Sequence, residues 1–303
     1  KLALTPHPMS DFSQFFGCYT ALITPFKGDG VDVAAFEQFV GWQIEQSIHG
    51  LVPCGTTGES PTLTPAEHGD VIARAVAVSK GRVKIMAGTG SNSTAEAIEY
   101  TKHAEKVGAD AALVVSPYYN KPTQEGLYQH FKAVAAATSL PIFIYNIPGR
   151  SVVNMTDATL ARLAEIKNIA GLKDATGDLA RIATLRHLVG DRLVQFSGED
   201  MTAVGFNAMG GRGVISVASN VAPKACAEVQ NLSLAGKHEE ARTLHATLVP
   251  LISAMFVETN PMPVKFASSL MKKTDGSMRL PLVQPTEQTR STVQAALADL
   301  KLI

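Results

Sequence analysis

Apolar residues along this chain fall into short runs that alternate with longer stretches of helical period. Eight runs are rich in β-branched or apolar residues: 19–24, 50–54, 84–88, 111–116, 142–146, 169–173, 193–197 and 213–217. They are apolar on both faces, which suits parallel strands covered on each side. A stretch that reads as helix follows each one. Strand–helix alternation repeated eight times predicts an α/β chain closed into a (β/α)8 TIM barrel, with an open doubly wound sheet as the competing arrangement. The helix starts agree. Thr64, Pro65 and Glu67 supply an N-cap, a proline in the first turn and a capping-box carboxylate. Ser93 and Glu96 repeat the box without the proline, and Pro223 marks a further loop-to-helix boundary.

Beyond Val217 the strand signal stops and the pattern is helical, with breaks near Gly236 and over 275–285. This divides the chain into an N-terminal segment (1–16), a barrel (17–232) and C-terminal helices packed on the barrel (233–303). Met9 is a candidate natural start, which would make residues 1–8 a remnant of the expression vector. Neither a signal-peptide core nor a membrane-length apolar run is visible.

Composition narrows the partners. Lys plus Arg and Asp plus Glu are 27 each in 303 residues, so the formal charge is zero. Nucleic acid is therefore a poor partner, for want of a basic excess. Three cysteines, Cys18, Cys54 and Cys226, form neither a disulfide framework nor a metal knuckle, and the eight histidines show no paired ligand spacing. The expectation is a reduced, cytoplasmic enzyme without a metal.

In a barrel of this kind the chemistry sits where strands run into loops. Lys173 ends the apolar run 169–173. An amine there loses hydration, which favours its neutral, nucleophilic form; alternatively the side chain snorkels into solvent. Tyr145, at the end of the neighbouring run, is either a proton-transfer phenol or a rim tyrosine with a satisfied hydroxyl. Arg150 follows a Pro-Gly turn and could grip a carboxylate through two parallel hydrogen bonds, or lie on the surface. Residues 55–60, Gly-Thr-Thr-Gly-Glu-Ser, offer hydroxyls and close backbone approach to a small anion, or simply a tight turn. The loop lacks a P-loop lysine, so a nucleotide is not expected. Tyr118 and Tyr119 are either catalytic or an aromatic pair at a subunit contact.

Taken together, these segments resemble the dihydrodipicolinate synthase / N-acetylneuraminate lyase superfamily, and within it the synthase branch. The resemblance runs from Phe16 onward and includes Gly198, the stretch Gly213-Val214-Ile215-Ser216-Val217, and Asn260-Pro261-Met262-Pro263-Val264-Lys265. It implies a lyase of lysine and diaminopimelate biosynthesis that condenses pyruvate with L-aspartate 4-semialdehyde to 4-hydroxy-tetrahydrodipicolinate. No cofactor is implied beyond the covalent imine between pyruvate and Lys173. By resemblance, Tyr145, Thr57 and Tyr119 move protons, and Tyr119 enters the site of an adjacent subunit in a homotetramer. Thr56 and Thr57 match the pair that binds the pyruvate carboxylate, Arg150 the holder of the semialdehyde carboxylate, and Gly198 and Ile215 match positions whose backbone lines the site. Ser60, His68, Asn92, Glu96 and Tyr118 match an inhibitory lysine site. Ser151-Val152-Val153-Asn154 departs from the synthase pattern, where many members have Thr-Gly after the arginine. Two other readings stand beside the synthase: another pyruvate-dependent aldolase of the superfamily, acting on a 2-keto-3-deoxy sugar acid or N-acetylneuraminate, and a non-catalytic barrel used for ligand sensing.

Overall fold

The computed structural model describes residues 12–303. The proposed start at Met9 and the reading of residues 1–8 lie outside the described residues. Eight parallel strands close into a barrel in chain order: β1 (Gly17–Ala21), β2 (Gly50–Val52), β3 (Lys84–Gly88), β4 (Ala111–Val115), β5 (Ile142–Asn146), β6 (Ile169–Asp174), β7 (Val194–Ser197) and β8 (Gly213–Ser216). β1 pairs with both β2 and β8, which completes the ring. The open doubly wound alternative is thereby excluded.

Two strands stop more than one residue short of the pattern reading, each for a local reason. β1 stops at Ala21, because the Ile23 amide donates to the Asn220 side chain and not to a neighbouring strand. β2 stops at Val52, because Pro53 has no N–H and Cys54 takes a left-handed φ of 58°. A short hairpin, Phe26–Lys27 with Gly30–Val31, has no counterpart in the periodicity analysis; each strand is only two residues long, too short for alternation to show.

The helix caps follow the sequence closely at one end and less so at another. Thr64 and Glu67 form the full reciprocal box before the helix Pro65–Ser79. Before the helix Thr94–Lys106 only half a box forms. The Ser93 hydroxyl accepts from the Glu96 amide, but the Glu96 carboxylate turns away to take a hydrogen bond from Ser91.

Inside the barrel lies an aromatic plug. Phe15 meets Phe143 edge-on at 5.2 Å, Tyr19 meets Phe196 at 5.4 Å, and Phe143 and Phe196 are 5.7 Å apart. Phe15 was assigned to the segment preceding the barrel; it sits in the barrel interior, fully buried. Glycines make room for these rings. A Cβ on Gly50 would lie 2.1 Å from the Tyr19 ring, and one on Gly171 would lie 2.6 Å from Phe143.

Outside the strands, the helices bury a second apolar layer. The C-terminal helices His238–Ala254, Met262–Leu270 and Glu287–Asp299 contribute Leu251, Val264 and Val293 to the same cluster as Cys18, Phe36 and Leu51. No described helix is long and apolar enough to cross a membrane.

The plug gives a contrast between two glycines. Gly50→Ala should lower unfolding free energy by about 3 kcal/mol, because the Tyr19 ring has no room to retreat. Gly41→Ala, in the helix Val33–Glu45 with open space around its Cβ, should raise it by about 1 kcal/mol through helix propensity. Urea denaturation of both variants measures this, and equal effects would contradict the packing described.

Candidate active site

The parallel register sets the two central residues side by side. Tyr145 on β5 pairs with Lys173 on β6, and Lys173 pairs with Phe196 on β7. Alternation along β6 sends Leu172 outward to the helices and Lys173 inward to the barrel mouth. Lys173 is only 6% exposed, and its Nζ lies 4.0 Å from the centre of the Tyr145 ring. The snorkelling alternative is thus excluded.

Burial pushes the Lys173 pKa down to about 7, against the pull of the Asp200 and Glu199 carboxylates and with the help of Arg150. At neutral pH a substantial share of the amine is uncharged and nucleophilic. Burial also pushes the Tyr145 phenol up to about 12, opposed by its hydrogen bond with Thr56 and by the Arg150 charge. The phenol therefore keeps its proton and can lend it.

These groups face one cavity of about 260 Å³ at the C-terminal ends of the strands. Its wall includes Thr56, Thr57, Tyr145, Arg150, Lys173 and Gly198. The loop 55–60 is a tight coil: the Gly58 amide donates to the Gly55 carbonyl and the Glu59 amide to that of Thr56, both at 3.1 Å. Its two threonine hydroxyls diverge. Thr56 meets the Tyr145 phenol, whereas the Thr57 hydroxyl accepts from the Asn260 amide at 3.0 Å. The resemblance put Thr57 in the proton chain; the geometry puts Thr56 beside Tyr145 instead, because the turn sends adjacent side chains in different directions.

Arg150 sits in the helical turn Pro148–Ser151, exposed at the rim, with one guanidinium nitrogen 2.9 Å from the Asn260 carbonyl. The rest of its planar fork is open to the mouth. Gly198 packs against Ala175 so closely that a Cβ would lie 2.7 Å from the alanine methyl. Ile215 is not on the cavity wall. Its side chain belongs to the buried barrel interior with Tyr19 and Phe196, and Val217, two residues on, takes the wall position. Tyr119 is 90% exposed, with a left-handed φ of 71°, and is not among the residues lining its own chain's cavity.

Among the wall residues with no role in the sequence reading are Glu199, Phe256 and Asn260. Glu199 follows Gly198, and burial together with Asp200 raises its pKa although Lys173 opposes the shift. Phe256 and Asn260 come from the C-terminal helical region. The only available signal for Asn260 was its place in the Asn-Pro-Met-Pro-Val-Lys stretch. Among the described residues its side-chain oxygen is buried without a hydrogen-bond donor.

The residues matched to a lysine site gather beside the mouth. Ser60 and Tyr118 line a second cavity of about 290 Å³, which shares Thr56, Ile147, Arg150 and Asn260 with the first. His68 stacks on Tyr100 at 4.1 Å, and burial pushes its pKa down to about 4, so it is a neutral ring at pH 7. Burial and the Glu96 charge raise the pKa values of both Tyr100 and Tyr118. The Asn92 carbonyl accepts from the Asn120 amide at 2.9 Å. Among the described residues, no three His, Cys, Asp or Glu side chains gather to hold a metal ion.

Comparison with known proteins gives one consistent answer. A family model described as the dihydrodipicolinate synthetase family matches residues 14–300. A 4-hydroxy-tetrahydrodipicolinate synthase of Methylobacterium radiotolerans is 55% identical over 96% of this chain and 97% of its own. The chloride-inhibited dihydrodipicolinate synthase of Acinetobacter baumannii, solved with pyruvate, superposes with a TM-score of 0.93 at 47% identity, covering 95% of this chain and all of the other. The enzyme of Cyanidioschyzon merolae, solved with lysine bound, gives 0.92 at 38% identity, covering 96% and 99%. With its matched length, its closed barrel and these relatives in agreement, the chain belongs to the dihydrodipicolinate synthetase family.

Proposed function

We propose that this chain condenses pyruvate with L-aspartate 4-semialdehyde through an imine on Lys173 and so forms 4-hydroxy-tetrahydrodipicolinate. The observation that carries the reading is a buried lysine with a pKa near neutrality, set against a protonated phenol in one open cavity. The names of the relatives support it, and none of the three favours a sugar-acid aldolase or a sensing barrel.

The steps follow from the groups present. The neutral amine adds to C2 of pyruvate. The former carbonyl oxygen gains protons and leaves as water, which gives the imine. Tyr145, coupled to Thr56, supplies and recovers these protons. The protonated imine draws electrons from the methyl carbon, which loses a proton and becomes an enamine. That carbon attacks the aldehyde, and the aldehyde's oxygen takes up a proton to become the hydroxyl. The amino group of the second substrate then attacks C2, closes the ring and expels Lys173. Thr56 and Thr57 hold the pyruvate carboxylate, and Arg150 holds that of the semialdehyde at the rim. Tyr119, exposed on its own chain, is presented to the site of a second copy in a homotetramer. The covalent imine takes the place of any cofactor.

Lysine, the end product of this route, occupies the cleft near Glu96, Tyr118, Ser60, Asn92 and His68. The relative solved with lysine bound supports lysine as the ligand. A carboxylate there can pair with an ammonium group, and the neutral His68 ring adds no repulsion.

Borohydride added with pyruvate should fix a three-carbon adduct on Lys173, read by peptide mass spectrometry. The rate of fixing should climb with pH until about 7 and then level off, since the protonated amine has no lone pair to give. Labelling of another lysine, or none, would end the proposal. Arg150→Ala should keep this adduct but lose about 100-fold in kcat/KM for the semialdehyde, the loss expected of a charged bidentate contact. Equal losses on both substrates would remove Arg150 from its assigned role. Glu96→Gln should raise the lysine concentration for half-inhibition by at least about tenfold, with uninhibited turnover nearly unchanged. Overlapping inhibition curves would place the effector elsewhere.

A further inference from the structure

The helix Met262–Leu270 reaches the loop 55–60 at two points. At its entrance, the Asn260 amide donates to the Thr57 hydroxyl. One turn in, the Lys265 ammonium donates to the Glu59 carboxylate and, at 2.8 Å, to the Thr24 carbonyl. Thr24 in turn donates its hydroxyl to the Gly58 carbonyl at 2.8 Å. The other Glu59 oxygen accepts from the Arg279 amide at 3.1 Å. Glu59 and Lys265 are both buried, at 2% and 0% exposure. Thr57, Gly58 and Glu59 are thus each held from behind, by Asn260, by Thr24 and by Lys265, and Lys265 also holds Thr24.

A buried ion pair is a poor device for stability alone, since apolar residues of similar volume do as well or better. Glu59 also holds a left-handed backbone, φ 54°, which a side chain other than glycine adopts at a cost. Both costs fall on the residue that closes the Thr56 turn through its own amide. Neither Lys265 nor the Thr24 hydroxyl takes part in the chemistry set out above.

We propose that Lys265 and Glu59 are positioning residues: their buried pair fixes the Gly-Thr-Thr-Gly loop, and with it the two hydroxyls that receive the first substrate. This rests on the function proposed above for that cavity. The C-terminal helical region is then part of the site's scaffold, reaching it through one charge and one amide.

The test uses Glu59→Gln combined with Lys265→Met, which removes both charges together and leaves none unpaired. It should retain one trappable lysine per chain at saturating pyruvate. The KM for pyruvate should rise about tenfold and kcat fall about tenfold, as expected when catalytic groups move by a fraction of an ångström, while the KM for the aldehyde stays put. Thr24→Val, a milder change that loosens the same loop and spares the ion pair, should move the pyruvate KM in the same direction by about threefold. It keeps the question answerable if the double variant does not fold. Unchanged kinetic constants would overturn the proposal. So would a loss confined to fewer trappable sites with KM unchanged, which is the mark of a merely structural role. A crystal structure of the double variant reads the geometry separately: the Thr57–Asn260 contact should open. That readout stands even if the parent protein traps no pyruvate, an outcome that would count against the function and leave the positioning claim to be judged on its own.

Discussion

The structure turns on keeping one amine dry. An exposed lysine carries its proton at neutral pH and cannot attack a carbonyl. Here the barrel removes water from Lys173 on several sides, with aromatic rings beneath it and the Tyr145 face beside it. Two carboxylates, Asp200 and Glu199, pull the other way, yet desolvation is the largest influence and the pKa falls. The same burial acts on Tyr145 with opposite consequence. A phenol deprived of water holds its proton more firmly, so one environment favours the uncharged form of both groups, a free amine on the lysine and an intact phenol on the tyrosine.

Around that pair the mouth is graded in burial and charge. The deepest groups are buried strand residues. The threonine hydroxyls come next, on a coil braced by its own amides. Arg150 lies outermost, exposed and anchored through one contact to the Asn260 carbonyl. The order matches the demands of the proposed reaction: bond making at the base needs fixed atoms, whereas capture of a second carboxylate at the rim would tolerate a longer reach.

Much of this was legible in the residues themselves. Eight buried runs gave the barrel, since parallel strands covered on both faces have no polar alternation to disguise them. Lys173 and Tyr145 stood out because each closes such a run. The divergence of Thr56 and Thr57 was not legible, because neighbouring residues of the same type carry no sign of which way a turn will face them. Ile215 entered through the resemblance, as a backbone position; the depth of its side chain, one layer below the wall residue Val217, was not legible, since period two tells inward from outward and says nothing of depth. The half-formed box at Glu96 shows that a capping motif specifies what a side chain can do, while a better-placed hydroxyl at Ser91 decides what it does. Asn260 and Lys265 act on residues some 200 positions earlier in the chain, a distance at which local pattern carries no information.

The aromatic plug has a consequence for traffic. With Phe15, Tyr19, Phe143 and Phe196 packed across the barrel interior, the chamber has an aromatic floor. Traffic runs through the mouth above it, including the water shed when a carbonyl is consumed. A first occupant bonded to the floor-level amine cannot be bypassed or displaced from below. Under the proposed reaction the architecture imposes a queue: the three-carbon acid goes in first and the aldehyde second.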